Sequence, residues 1–179
     1  VVLSSTPTYS AGAEAGTTTG QISSYNGYTY TYDDNGNILT VSDGTNTTRY
    51  EYDSANQLIR EDNELLDVTY TWEYDASGNI INRGEYSYLN ISPDYQTDDI
   101  SYEYDESWGD LLTSYMGKTI TYDEIGNPLS DGRWNYTWQH GRQLASMSDG
   151  TTTWTYTYDA NGMRTSRSNG TTTYSYVYN

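Results

Sequence analysis

Apolar and polar positions alternate with a period of two through most of the chain. Tyr28, Tyr30 and Tyr32 are interleaved with Thr29 and Thr31, and Trp154, Tyr156 and Tyr158 with Thr155 and Thr157. Tyr50 and Tyr52 flank Glu51, Tyr70, Trp72 and Tyr74 flank Thr71 and Glu73, and Tyr174, Tyr176 and Tyr178 flank Ser175 and Val177. Successive side chains of a strand point to opposite faces, so this pattern predicts strands with one aromatic face and one face of Thr, Ser or Glu. No stretch has helical periodicity.

Two turn signals separate the strands. The first is Tyr-Asp-x-x-Gly-Asn, at Tyr32-Asp33 with Gly36-Asn37, Tyr74-Asp75 with Gly78-Asn79, and Tyr122-Asp123 with Gly126-Asn127. Weaker copies stand at Tyr52-Asp53 with Asn56-Gln57, at Tyr158-Asp159 with Gly162, and at Tyr104-Asp105 with Gly109-Asp110. Trp138-Gln139 is a degenerate copy and Tyr178-Asn179 reads as the opening of another. An aspartate at the first turn position accepts from backbone N–H groups further on, and glycine supplies the left-handed residue of a type I turn with a bulge.

The second signal is Asp43-Gly44, Asp131-Gly132, Asp149-Gly150 and Asn169-Gly170. Such pairs suit two-residue loops with positive φ at both central residues. With that loop at Asn169-Gly170, Thr165 faces Tyr174 and Met163 faces Tyr176. The expected fold is all-β, an antiparallel meander of hairpins forming a curved single-layer sheet. Around 14 strands follow Tyr25, and open twisted sheets of more than about ten strands curl or split.

The array is expected over residues 24–179, since a 14-position pattern from Ser24 to Asn37 recurs from Ser114 to Asn127. Pro93 interrupts the alternation, which predicts an inserted loop near 89–99. Residues 1–23, rich in Ser, Thr, Gly and Ala, read as an entry segment, a poorly ordered strand or a linker.

Composition changes the picture of the core. Apolar residues make up 34% of the chain, whereas globular domains average about 45–50%. Twenty-two tyrosines and five tryptophans, with no phenylalanine, carry most of the large hydrophobic surface. These rings pack on one side and keep a polar tip. A net charge of −17 disfavours nucleic acid and anionic membranes as partners, and no apolar run is long enough to insert in a bilayer. Without cysteine, neither disulfides nor thiolate metal sites arise. Val1 to Gly20 lacks the charged and apolar regions of a signal peptide, so the signal of a secreted parent would lie outside these residues.

Candidate chemistry is sparse, and neither a catalytic group, a metal nor a cofactor is expected. Asp33-Asp34-Asn35-Gly36-Asn37 fails as a calcium loop because glycine stands fourth and Gly44, not glutamate, stands twelfth. The single histidine, His140, falls in a turn, and Glu51, Glu73 and Glu103 occupy alternating positions of a solvated face. The sequons at Asn46, Asn90, Asn135 and Asn169 matter only in a glycosylating host. Trp134, Tyr136, Trp138 and Trp154 form the densest aromatic group. Packing in a cross-strand ladder is the simpler reading for these rings, and stacking on sugars is the alternative.

The in-phase motifs, each followed by Ile38, Ile80 or Leu129, resemble the YD or Rhs repeat family from about Tyr25 onward. Trp138-Gln139-His140-Gly141-Arg142-Gln143-Leu144 is similar to that family's tryptophan variant. The resemblance implies a large secreted or surface protein whose sheet strip spirals into a hollow shell. In bacterial members such a shell commonly surrounds a C-terminal toxin, animal relatives include the teneurins, and the family is described as binding carbohydrate. The core segment linked to self-cleavage in some members has no counterpart in these residues. The expected function is therefore a structural shell segment, with a glycan- or cell-wall-binding module as the alternative. The expected partners are further repeats of the parent, an enclosed toxin or surface glycans, and other copies meeting the free sheet edges.

Overall fold

The computed structural model describes residues 6–178. They form two compact units, Val1–Ser101 and Tyr102–Asn179. The first holds β1 (Thr8–Ala11), β2 (Thr18–Tyr25), β3 (Tyr28–Tyr32), β4 (Ile38–Ser42) and β5 (Thr47–Tyr52). It continues with β6 (Leu58–Asn63), β7 (Val68–Tyr74), β8 (Ile80–Ser87) and most of β9 (Gln96–Tyr104). The second takes up the end of β9 and adds β10 (Leu112–Tyr115), β11 (Lys118–Thr119), β12 (Thr121–Tyr122) and β13 (Pro128–Ser130). After these come β14 (Asn135–Gln139), β15 (Gln143–Ser148), β16 (Thr153–Tyr158), β17 (Arg164–Ser168) and β18 (Thr173–Ser175). The helical content of the described residues is one 3₁₀ turn, Pro93–Tyr95.

Each strand pairs antiparallel with the next, in the order β1 to β11 in one sheet and β12 to β18 in another. The chain is an all-β meander without crossovers. The expected single strip is interrupted within the second unit at Ile120, the one residue between β11 and β12. Its N–H still donates to the Thr113 carbonyl oxygen at 2.8 Å.

Three local details stand beside the expectations. The segment read as an entry or linker contains β1 and most of β2, paired with Thr8 opposite Ser24 and Ala11 opposite Thr18; its first five residues lie outside the described residues. Serine and threonine are as compatible with an extended strand as with a linker. The interruption expected at 89–99 is shorter, because β9 begins at Gln96. In the last hairpin Tyr174 faces Arg167, not Thr165, since the Asn169-Gly170 loop is four residues long.

Period two holds in the burial. Tyr30, Tyr32, Tyr50 and Tyr52 are half-buried while Thr29, Thr31, Arg49 and Glu51 are exposed. The only buried apolar residues among the described residues are Val68 and Ile100, so no aliphatic core forms among them. The first unit has a buried polar knot instead. Asp62 Oδ1 accepts from Arg60 Nε and Nη2 at 3.0 and 2.9 Å and from the Thr69 hydroxyl at 2.6 Å. Thr69 Oγ1 accepts in turn from the Leu89 N–H at 2.9 Å, which ties the chain entering the interruption to β7.

Candidate functional site

The repeat motif builds one device many times. In the first copy, Asp33 Oδ1 accepts from the N–H groups of Asn35 and Asn37 at 3.0 and 2.8 Å, and Oδ2 from Asn37 Nδ2 at 2.9 Å. Gly36, at φ +89°, donates to the Asp33 carbonyl oxygen at 3.1 Å. The ladder slips by one residue between Thr31 and Tyr32, which is the bulge that such a turn requires. Asp75, Gly78 and Asn79 repeat this geometry, as do Asp123, Gly126 and Asn127. In the copy at Asp159, Gly162 keeps positive φ and Met163 replaces the asparagine. In the copy at Asp53, Asn56 takes the left-handed position at φ +61°.

These contacts perturb the carboxylates. The side-chain amide of Asn37 holds Asp33 below the ordinary carboxylate value, and that of Asn79 does the same for Asp75. Asp123 is also lowered, because donation from Asn127 outweighs its desolvation.

The tyrosine that opens six of the motif copies reaches back to the preceding repeat. The Tyr32 hydroxyl donates to the Ile22 carbonyl oxygen at 2.8 Å, Tyr52 to Ile38 at 3.0 Å and Tyr74 to Leu58 at 2.7 Å. Tyr122 donates to Leu112 at 2.6 Å, Tyr158 to Leu144 at 3.0 Å and Tyr178 to Arg164 at 2.7 Å. At the degenerate copy the Trp138 indole N–H fills the role, donating to Pro128 at 2.7 Å. Neighbouring turns also touch: Asn56 Oδ1 accepts from Asn37 Nδ2 at 2.7 Å, and the Gly141 carbonyl oxygen from Asn127 Nδ2 at the same distance.

The opposite turns differ from the expectation of two central residues at positive φ. Gly44 is left-handed and Asp43 is not; Asp43 Oδ1 accepts from Thr45 and Asn46 at 2.8 and 2.7 Å. The carboxylate caps two N–H groups from the position before the glycine, and the strand pair closes at Ser42 and Thr47. Ser42, Ser130, Ser148 and Ser168 each accept from the glycine N–H two residues on, at 3.2 to 3.3 Å. This role was unread in the sequence, although a serine precedes each of the four pairs Asp43-Gly44, Asp131-Gly132, Asp149-Gly150 and Asn169-Gly170. Loops with both central residues left-handed occur at Asn26-Gly27 and Met116-Gly117, inside the pattern repeated at Ser24 and Ser114.

The four aromatic candidates share one face of the second unit. Trp134, Tyr136 and Trp138 alternate along β14 and its approach, all half-buried. Met147 on β15 stands opposite both Tyr136 and Trp154, so it separates those rings. Tyr136 donates to Asp131 Oδ2 at 2.6 Å, and its phenol is pushed up to about 12 by desolvation and by that bond. Arg133 lies over the Trp134 ring at 5.7 Å and Arg167 over Trp154 at 5.1 Å. His140 is an exposed turn residue at φ +46°, beside a cleft of about 360 Å³ that also touches Gln143 and Asp159. Among the described residues no group of three or more His, Asp or Glu is placed to hold a metal.

The geometry defines a class: an antiparallel hairpin array in which an Asp-capped turn and a backward-reaching aromatic donor recur together. Residues 32–65 match the family model described as RHS Repeat. Among solved structures it is similar to a TcdB2-TccC3-Cdc42 crystal structure, at 17% identity and TM-score 0.47 over 80% of this chain and 10% of the other. It is also similar to a Tc holotoxin pore from Photorhabdus luminescens, at 21% identity and TM-score 0.39 over 78% of this chain and 9% of the other. The chain thus spans about a tenth of the length of those structures. Among curated protein sequences none matches it.

Proposed function

We propose that the chain is a wall segment of a larger secreted or surface-exposed Rhs-repeat shell of a toxin-related protein, with a structural role and no catalysis of its own. The observation that carries this reading is the chain of backward donors. Every ring that reaches the previous repeat fixes one hairpin to the last, so the array extends by addition of like units and presents a sheet instead of a pocket. Its aromatic face is only half covered within the units, which suits a wall with a lumen on one side. Electron cryomicroscopy of the complete natural protein tests this. These hairpins are expected as successive turns of a closed wall, with the enclosed polypeptide protected from protease; an open rod would overturn the reading.

Glycan binding is the second reading, favoured by Trp134, Tyr136 and Trp154 standing half-exposed on a common face. It requires saturable quenching of tryptophan fluorescence by neutral oligosaccharides, abolished by Trp154→Ala. Trp138 is the weaker probe because its N–H is already committed to Pro128.

A further inference from the structure

Basic charge is concentrated at one end of an acidic chain. Residues 132–179 hold four arginines and two aspartates, although the whole chain carries a net charge of −17. Arg164 and Arg167 stand three apart on β17, which in a regular strand places them on opposite faces. The register changes this: Arg167 pairs with Tyr156 and Arg164 with Tyr158, the ladder slipping between Thr157 and Tyr158. The bulge re-aims Arg164 onto the aromatic face beside Arg167. Arg167 lies over Tyr174 at 4.5 Å and over Trp154 at 5.1 Å, and Arg164 lies over Tyr156 at 4.9 Å.

Both arginines are exposed, and neither is in an ion pair, those of the described residues being Arg60 with Asp62 and Arg83 with Glu85. A guanidinium stacked on a ring loses little freedom on gripping an oxyanion; Arg164 also hydrogen-bonds the Tyr158 side chain, which leaves its other N–H groups to do so. Tyr156 and Tyr158, opposite the two arginines, are two residues apart, or about 7 Å along the strand. That is also the spacing of alternate side chains in any extended polypeptide. We propose that the aromatic face of β16 to β18 binds an extended acidic polypeptide, with carboxylates at alternate positions seated on Arg164 and Arg167. The proposal rests on this face alone and holds whether or not the array closes into a wall.

The test uses the full chain and a synthetic decapeptide of alternating Glu and Thr, read by calorimetry and tryptophan fluorescence. Binding is expected to saturate, to weaken with salt, and to fall about tenfold in Arg164→Gln and in Arg167→Gln. Arg49→Gln, on the threonine face, is expected to change nothing. Arg167→Lys keeps the charge without the planar fork and is expected to fall between. Melting curves matching the parent show that these exposed substitutions leave the fold intact. Equal binding of the Gln-Thr peptide, or indifference to both glutamine variants, would overturn the proposal. So would saturation by polygalacturonate without binding of the peptide, which would make the face a site for acidic glycan. Self-association lost in Arg167→Gln, with no peptide binding, would make it a contact between copies and overturn it equally.

Discussion

The indole N–H of Trp138 donates to the Pro128 carbonyl oxygen at 2.7 Å, in the role that the Tyr52 hydroxyl plays toward the Ile38 carbonyl oxygen at 3.0 Å. What the position demands is a flat apolar body with a donor at its rim. Phenylalanine supplies the body alone, and the chain contains none.

Tyr52→Phe is therefore expected to cost about 1 kcal/mol, the net worth of one hydrogen bond. Trp138→Phe should cost more, since ring area is lost as well, whereas Trp138→Tyr should recover part of the loss. Urea denaturation of the three variants checks the order. A Tyr52→Phe midpoint equal to the parent's would show that the ring's packing, not its donor, holds the repeats together.

Gly36 sits at φ +89°, and a Cβ there would stand 3.5 Å from Gln21 Nε2, an ordinary contact. The penalty of Gly36→Ala is thus backbone strain without a clash, about 1 kcal/mol. Asn56, at φ +61°, shows which side chain tolerates the position, so Gly36→Asn is expected to melt closer to the parent than Gly36→Ala. The reverse ranking would reject the left-handed assignment.

Replacing Asp62 strands the Arg60 guanidinium and removes the acceptor of the fully buried Thr69 hydroxyl. Asp62→Ala is expected to cost about 3 kcal/mol. Hydrogen exchange should quicken at Leu89, whose N–H is held by Thr69 Oγ1. Exchange at Leu89 unchanged by the substitution would show that the knot does not anchor the interruption.

Asp33 and Asp75 have folded pKa values below the ordinary 3.8, chiefly through the amides of Asn37 and Asn79. A depressed carboxylate adds stability that is present above its unfolded value and lost as pH falls through the folded one. Melting temperature is expected to drop below about pH 4, and Asn37→Ala should flatten that drop. For Tyr136 the sign is opposite: its contribution is complete below pH 10 and disappears as pH rises toward about 12, where the phenol ionises. Absorbance titration should show one tyrosine ionising last, and Tyr136→Phe should remove it.

The hairpins were legible because their signals are local. Tyr30 alternating with Thr31 sets the face, and Asp33 with Gly36 sets the turn, all within a few residues. The Asn169-Gly170 register was misread because the same dipeptide serves two loop types, and Ser168 decides between them. The second sheet was not foreseen, since nothing around Ile120 departs from the strand pattern. The placing of Arg164 and Arg167 on one face depends on a bulge, which inverts the parity on which face assignments rest. The Asp62 knot joins residues of three segments that no spacing rule connects.

The latch also has a direction in time. Each ring reaches ten to sixteen residues back toward the N-terminus, to a carbonyl in the hairpin already made. A hairpin emerging during synthesis therefore meets an acceptor formed before it, and its latch waits for nothing downstream. Such a sequence closes only short loops at each step. The array can zip from its first repeat onward, each one templating the next, so that a ribosome paused midway would hold a chain folded nearly to its exit.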